Sequence, residues 1–114
     1  MRDLKEKDPS PSIKRSLAAT EIVVSLARLE GWRLRGDGAT VAIEKTYRFT
    51  DFHQTMAFVN AVAFLAHTQG HHPDLSVHFD HCTVAWRTHD IGGISRADLD
   101  CAARVDALLV ACTA

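Results

Sequence analysis

The stretch His71-His72-Pro73-Asp74-Leu75-Ser76-Val77-His78-Phe79-Asp80-His81-Cys82-Thr83-Val84-Ala85-Trp86-Arg87-Thr88-His89 decides how this chain is read. Leu75, Val77 and Phe79 alternate with polar residues, and so do Cys82, Val84 and Trp86. Period-two alternation on both sides of a short polar break is the pattern of a β-hairpin with one buried face. With Asp80-His81 as the turn, Phe79 faces Cys82, Val77 faces Val84 and Leu75 faces Trp86. All six apolar side chains then share a face. Extending the same ladder sets His72 directly opposite His89.

Outward from this hairpin the chain repeats a similar pattern. Trp32–Arg35 and Thr40–Phe49 alternate around the turn Gly36-Asp37-Gly38, with Val41, Ile43, Tyr47 and Phe49 on one face and Lys45 as the exception. These segments predict a first hairpin. A helix is predicted from Ile13 to Glu30, with Leu17, Ile22 or Val23, Leu26 and Leu29 as its stripe and Gly31 as its stop. A second runs from a cap at Thr50 or Asp51 to about Gln69, with Gly70 at C′. Its stripe Phe52, Met56, Val59, Ala63, Ala66 adjoins another, Phe58, Val62, Leu65. That apolar girth predicts cover on two sides, by the sheet and by another subunit. Ser95 opens a capping box with Asp98 at N3, and Leu99, Ala102, Ala103, Val105, Leu108, Leu109 and Cys112 supply the packing of the last helix. The expected fold is α+β, in the order α-β-β-α-β-β-α, a four-stranded antiparallel sheet with three helices packed on one face. Residues 1–12 read as a disordered lead-in and 13–114 as a single domain.

Composition bounds the function. The chain has 114 residues, with 13 Lys and Arg against 14 Asp and Glu, a net charge of -1. That balance argues against nucleic acid or an anionic membrane as the principal partner. No apolar run is long enough for a signal h-region or a membrane span, and the expected location is cytoplasmic. Cys82, Cys101 and Cys112 are odd in number and form no C-x-x-C pair, so buried reduced thiols are expected.

The histidines stand out: six of the seven lie between His67 and His89. His72 and His89 are brought together by the hairpin. Gly70 permits a kink that turns His71 toward the same cavity, and Pro73 fixes the direction of the chain after it. His67 lies on the last turn of the second helix, and Asp98 and Asp90 follow close to His89. Clustered imidazoles suit proton transfer in both directions, as elimination of water requires. Metal binding through His67, His71, His72 and His89 is the competing use, but the spacing matches no usual zinc pattern. His53, His78 and His81 read as exposed polar residues.

The run His67-x3-His71-His72-Pro73-x5-Phe79-x9-His89-x8-Asp98 closely resembles the signature of the pterin-4a-carbinolamine dehydratase family. Leu29-Glu30-Gly31-Trp32, Phe49-Thr50-Asp51-Phe52 and Thr88-His89-Asp90-x-Gly92-Gly93-Ile94-Ser95 extend the likeness across residues 13–109. The resemblance implies dehydration of 4a-hydroxytetrahydropterin to quinonoid dihydropterin and water, with no metal and no bound cofactor. The substrate is the product left by pterin-dependent aromatic amino acid hydroxylases, which implies a functional coupling to such a hydroxylase. The catalytic histidines carry over to His71, His72 and His89, and the acidic residue to Asp98. Asp98, His67, Asp90 and Pro73 are then expected at the substrate. His72 and His89 would flank the reacting edge as acid and base, with His71 orienting the substrate or stabilising charge. The resemblance also implies a homodimer or homotetramer. It leaves a non-catalytic alternative, a pterin-binding or protein-interaction module such as a dimerisation cofactor for a transcription factor. Three positions depart from the family pattern: His67 replaces a frequent Glu, Leu75 a frequent aromatic, and Phe79 a frequent Tyr.

Overall fold

The computed structural model describes residues 15–113, with side chains described as far as Leu109. The lead-in 1–12, Ile13 and the side chain of Cys112 lie outside this range. The elements are α1 (Ala19–Leu26), β1 (Arg33–Arg35), β2 (Ala42–Arg48), α2 (Phe52–Gln69), β3 (Asp74–Val77), β4 (His81–Trp86) and α3 (Arg96–Thr113). The strands form one antiparallel sheet in the order β1-β2-β4-β3, and the three helices pack on one face of it. The two hairpins are thus joined through their second strands, with Ile43 opposite Trp86 and Tyr47 opposite Cys82.

Alternation explains the two faces. Ile43, Tyr47, Cys82, Val84 and Trp86 point toward the helices and are buried, together with Phe58, Val62 and Ala66 of α2 and Leu99, Ala102 and Val105 of α3. Burying each large apolar side chain contributes about 1.5–3 kcal/mol. Tyr47 and Phe49 hold Phe58 between them, with ring centroids at 4.7 and 5.1 Å. The opposite face is polar and open: Thr46 and Thr83 share a 2.7 Å hydrogen bond there, and Arg35 pairs with Glu44 at 2.6 Å.

Several expectations are corrected. The first helix covers only Ala19–Leu26, and Leu17 precedes it, with its N–H donating to the Ile94 carbonyl at 2.8 Å. Ile22, not Val23, is the buried member of its stripe. Asp51, not Thr50, caps α2 by accepting the Gln54 N–H at 2.8 Å. Phe52 stays 48% exposed, whereas the polar Thr55 is buried and donates to the Asp51 and Phe79 carbonyls. Lys45 is no exception to the alternation: it points to the helix side and reaches Asp106 of α3 at 2.9 Å.

The second hairpin turns one residue earlier than its alternation suggests. The His78 N–H donates to the His81 carbonyl at 2.8 Å, so Phe79-Asp80 is the two-residue turn. Leu75 therefore pairs with Val84 and Val77 with Cys82. Moving a turn by one residue slips the ladder by two, which keeps every side chain on its face while changing its partner. Phe79 is consequently 65% exposed and stacks on Phe52 with centroids 6.4 Å apart. His72 is not directly opposite His89: Asp74 pairs with Ala85, and β3 starts there.

Candidate active site

Two chain segments build the candidate pocket. The first is the exit of α2. Gly70 adopts φ 64°, the left-handed conformation that a β-carbon disfavours, and its N–H returns to the last turn of the helix. The His71 N–H bonds the Ala66 carbonyl at 3.2 Å, completing a Schellman-type closure. The chain reverses there, and Pro73 prevents the helix from resuming. His71 and His72 therefore leave the helix directly into the start of β3.

The second segment is the exit of β4. The Thr88 N–H donates to the Gly93 carbonyl at 3.0 Å, closing a small loop over a 3-10 turn at His89–Ile91. Ser95 precedes α3, and the Asp98 carboxylate accepts its N–H at 2.9 Å. Only this half of the anticipated capping box forms. The Ser95 hydroxyl turns instead to Thr88 Oγ1, 2.6 Å away.

Between these segments lies a concavity of about 250 Å³ lined by Gly70, His71, His72, Pro73, Asp74, Thr88, His89 and Asp90. His71, His72 and His89 thus line one pocket, with His72 and His89 exposed and His71 mostly covered. Pro73 and Asp90 belong to the same lining. Asp98 does not: it is fully buried behind His71, with Oδ1 2.6 Å from His71 Nε2. Its other oxygen accepts the Thr88 hydroxyl at 2.8 Å. The His71 ring also stacks on Trp86, at 5.4 Å between centroids and 19° between planes. His67 is exposed on the last turn of α2 and is outside the lining.

A carboxylate buried behind an imidazole, a second imidazole on the facing segment and open access for solvent are an arrangement chemically capable of proton transfer. Asp98 is met by the Thr88 hydroxyl, the Ser95 N–H and His71 Nε2, so its carboxylate is held in place and can orient the His71 ring. Burial, with the Asp98 charge next in importance, pushes the Cys101 thiol up to about 11, and burial raises Cys82 too, so neither serves as a nucleophile near neutral pH. Among the described residues, no group of three His, Cys, Asp or Glu side chains is arranged to hold a metal ion.

The sequence reading gives Trp86, Thr88 and Ser95 no role at the site. Trp86 and Thr88 share the inward side of β4 and its extension, so an inward-facing polar Thr88 was the available signal. His78 and His81 lie outside the pocket, where their rings stack 4.2 Å apart beside Ser76 and Asp80. The His81 contact holds the Asp80 carboxyl below its usual range. His53 is exposed.

A family model for pterin 4 alpha carbinolamine dehydratase matches residues 15–108. A protein of Paracidovorax citrulli, provisionally named pterin-4-alpha-carbinolamine dehydratase, is 62% identical over 108 residues, 95% of this chain and 93% of its own. A protein of Stenotrophomonas maltophilia with the same provisional name is 43% identical over 100 residues, covering 88% and 84% of the two chains. Among solved structures, a transcriptional coactivator/pterin dehydratase from Brucella melitensis superposes with a TM-score of 0.76 at 26% identity, over 82% of this chain and 97% of its own. A pterin dehydratase-like protein identified as a RuBisCO assembly factor in the alpha-carboxysome gives a TM-score of 0.59 at 29% identity, over 69% and 89%.

Proposed function

Because the chain belongs to the pterin 4 alpha carbinolamine dehydratase family, we propose that it removes water from a 4a-hydroxytetrahydropterin to give the quinonoid dihydropterin. The observation that carries this reading is the His71–Asp98 pair opening on a pocket shared with His72 and His89. In the elimination the C4a–O bond breaks, the N5–H bond breaks, and the electron pair left on N5 forms the C=N bond. One proton must leave N5, and one must reach the departing oxygen. His71 is the base, because the buried Asp98 carboxylate 2.6 Å from Nε2 orients its ring and balances the charge it gains on taking the proton. His89, on the facing segment, is the acid. His72, Asp90 and Pro73 contact the substrate, and solvent resets both rings through the open side. This changes the division of labour suggested by sequence, in which His72 and His89 shared the proton transfers. The supply reaction is pterin-dependent hydroxylation of aromatic amino acids, which leaves the 4a-hydroxyl adduct.

Stopped-flow dehydration of chemically generated 4a-hydroxytetrahydropterin tests the reading. The wild type is expected to exceed the uncatalysed rate, and His71→Ala and His89→Ala each to lose about 10²–10⁴-fold. A folded wild type without acceleration overturns it.

A second role in protein contact is favoured by one observation. Phe64 on α2 is 71% exposed, and Val23 and Val24 on α1 are 62% and 60% exposed. We assign the outward face of α2 to a second copy of the chain, in a homodimer or homotetramer. Light scattering at working concentration is expected to give an oligomer, and a monomer only would remove this assignment.

A further inference from the structure

The hydrogen bonds behind His71 have directions that follow from valence. The Ser95 backbone N–H can only donate, and it donates to Asp98 Oδ2 at 2.9 Å. The Thr88 hydroxyl donates to the same oxygen at 2.8 Å. With Asp98 ionised the carboxylate is acceptor-only, and the 2.6 Å contact at Oδ1 places the hydrogen on His71 Nε2. Thr88 has committed its single hydrogen to Asp98. At its 2.6 Å contact with Ser95 Oγ it must therefore accept, and Ser95 must donate. The order runs from Ser95 Oγ–H to Thr88 Oγ1–H to Asp98, which also receives His71 Nε2–H. Thr88, Ser95 and Asp98 are all buried, so water does not compete for these bonds.

We propose that Thr88, backed by Ser95, is a positioning residue: it holds the Asp98 carboxylate in the orientation that makes His71 the Nε2–H tautomer and leaves Nδ1 as the basic atom of the pocket. As a statement about catalysis this rests on the dehydratase reading; as a statement about proton location it stands alone. Trp86 reinforces it by stacking on the ring and fixing its plane. The other ionisable groups around the ring are His72 and Asp74 from its own segment and His89 and Asp90 across the pocket. Cys101 of α3, whose thiol feels the Asp98 charge, stays neutral through the relevant range.

The experiment is nitrogen NMR of the histidine rings in the full-length protein, titrated in the wild type, Thr88→Val, Thr88→Ser and Ser95→Ala. His71 in the wild type is expected to show the Nε2–H tautomer when neutral. In Thr88→Val it is expected to become a tautomer mixture. Thr88→Ser restores the single tautomer, and Ser95→Ala disturbs it less, in the same direction. In parallel, Thr88→Val lowers kcat about tenfold while KM stays within about twofold. If Thr88→Val does not fold, Ser95→Ala and Thr88→Ser carry the test. The wild-type tautomer in every folded variant lacking a hydroxyl overturns the proposal. A wild type that shows the tautomer but no dehydration overturns the catalytic reading alone.

Discussion

Asp98 and Asp106 lie on the same helix, and each gathers a cluster of donors from other segments, yet only Asp98 lies against a candidate site. Asp98 is fully buried and is met by an imidazole, a hydroxyl and a backbone N–H. Asp106 is partly open and is met by Lys45 Nζ at 2.9 Å, Trp32 Nε1 at 3.2 Å and the Tyr47 hydroxyl. Lys45 also donates to the Glu30 carbonyl at 2.9 Å and sits 5.0 Å from the centre of the Tyr47 ring. The Asp106 cluster is a clamp. Its charge is balanced by an ammonium with no role in proton exchange at neutral pH, and its donors come from the sheet it fastens to α3. Asp98 has a partner that can change charge and keeps a second ring nitrogen for the pocket. A titratable group with an uncommitted atom marks the site, and carboxylate burial alone does not. Size marks it no better: the concavity beside Lys45 and Asp106 measures about 440 Å³, against about 250 Å³ at the histidines.

The contrast is broken most severely by exchanging the two carboxylates for amides. Asp98→Asn is expected to lower kcat roughly a hundredfold or more, because an amide can present N–H to His71 and favour the wrong tautomer. Asp106→Asn is expected to leave kcat within about twofold while costing about 1–3 kcal/mol of stability, read by thermal unfolding. A large kcat loss in Asp106→Asn would erase the distinction between clamp and site.

Gly70→Ala tests the chain reversal that delivers His71. A β-carbon there meets nothing within 4 Å, so the cost is conformational, about 1–2 kcal/mol. Both the melting temperature and the dehydration rate are expected to fall, whereas Asp106→Asn lowers only the first.

The smallest effect sharpens the clamp. Burial, and then the Asp106 contact, raise the Tyr47 hydroxyl well above its ordinary 10.0. A raised folded value contributes stability that is complete below the unfolded value and is lost as pH rises toward the folded one. Tyr47→Phe is therefore expected to cost about 1 kcal/mol at neutral pH and to flatten the decline in stability above about pH 10. An alkaline decline identical in both proteins would remove Tyr47 from the clamp.

Much of the fold was legible because periodicity reports which way a side chain points relative to its own backbone. The α-β-β-α-β-β-α order, both hairpins and Gly70 at C′ follow from it. The hairpin pairing did not, since Leu75 keeps its face whether it meets Trp86 or Val84. Lys45 looked misplaced because its partner is sixty-one residues away. At the site, the resemblance singled out His71, His72, His89 and Asp98 by their spacing, but spacing does not say which of them touch.

The residue types, their alternation and the histidine spacing were determined by sequence alone, because they express local geometry and side-chain chemistry. Tertiary structure decided that Asp98 lies behind His71 instead of lining the pocket, that Thr88 and Ser95 stand behind Asp98, and that His67 stays outside. The reason is that those relations join separate segments, the end of α2, the end of β4 and the start of α3, whose approach is set by the packing of the whole core.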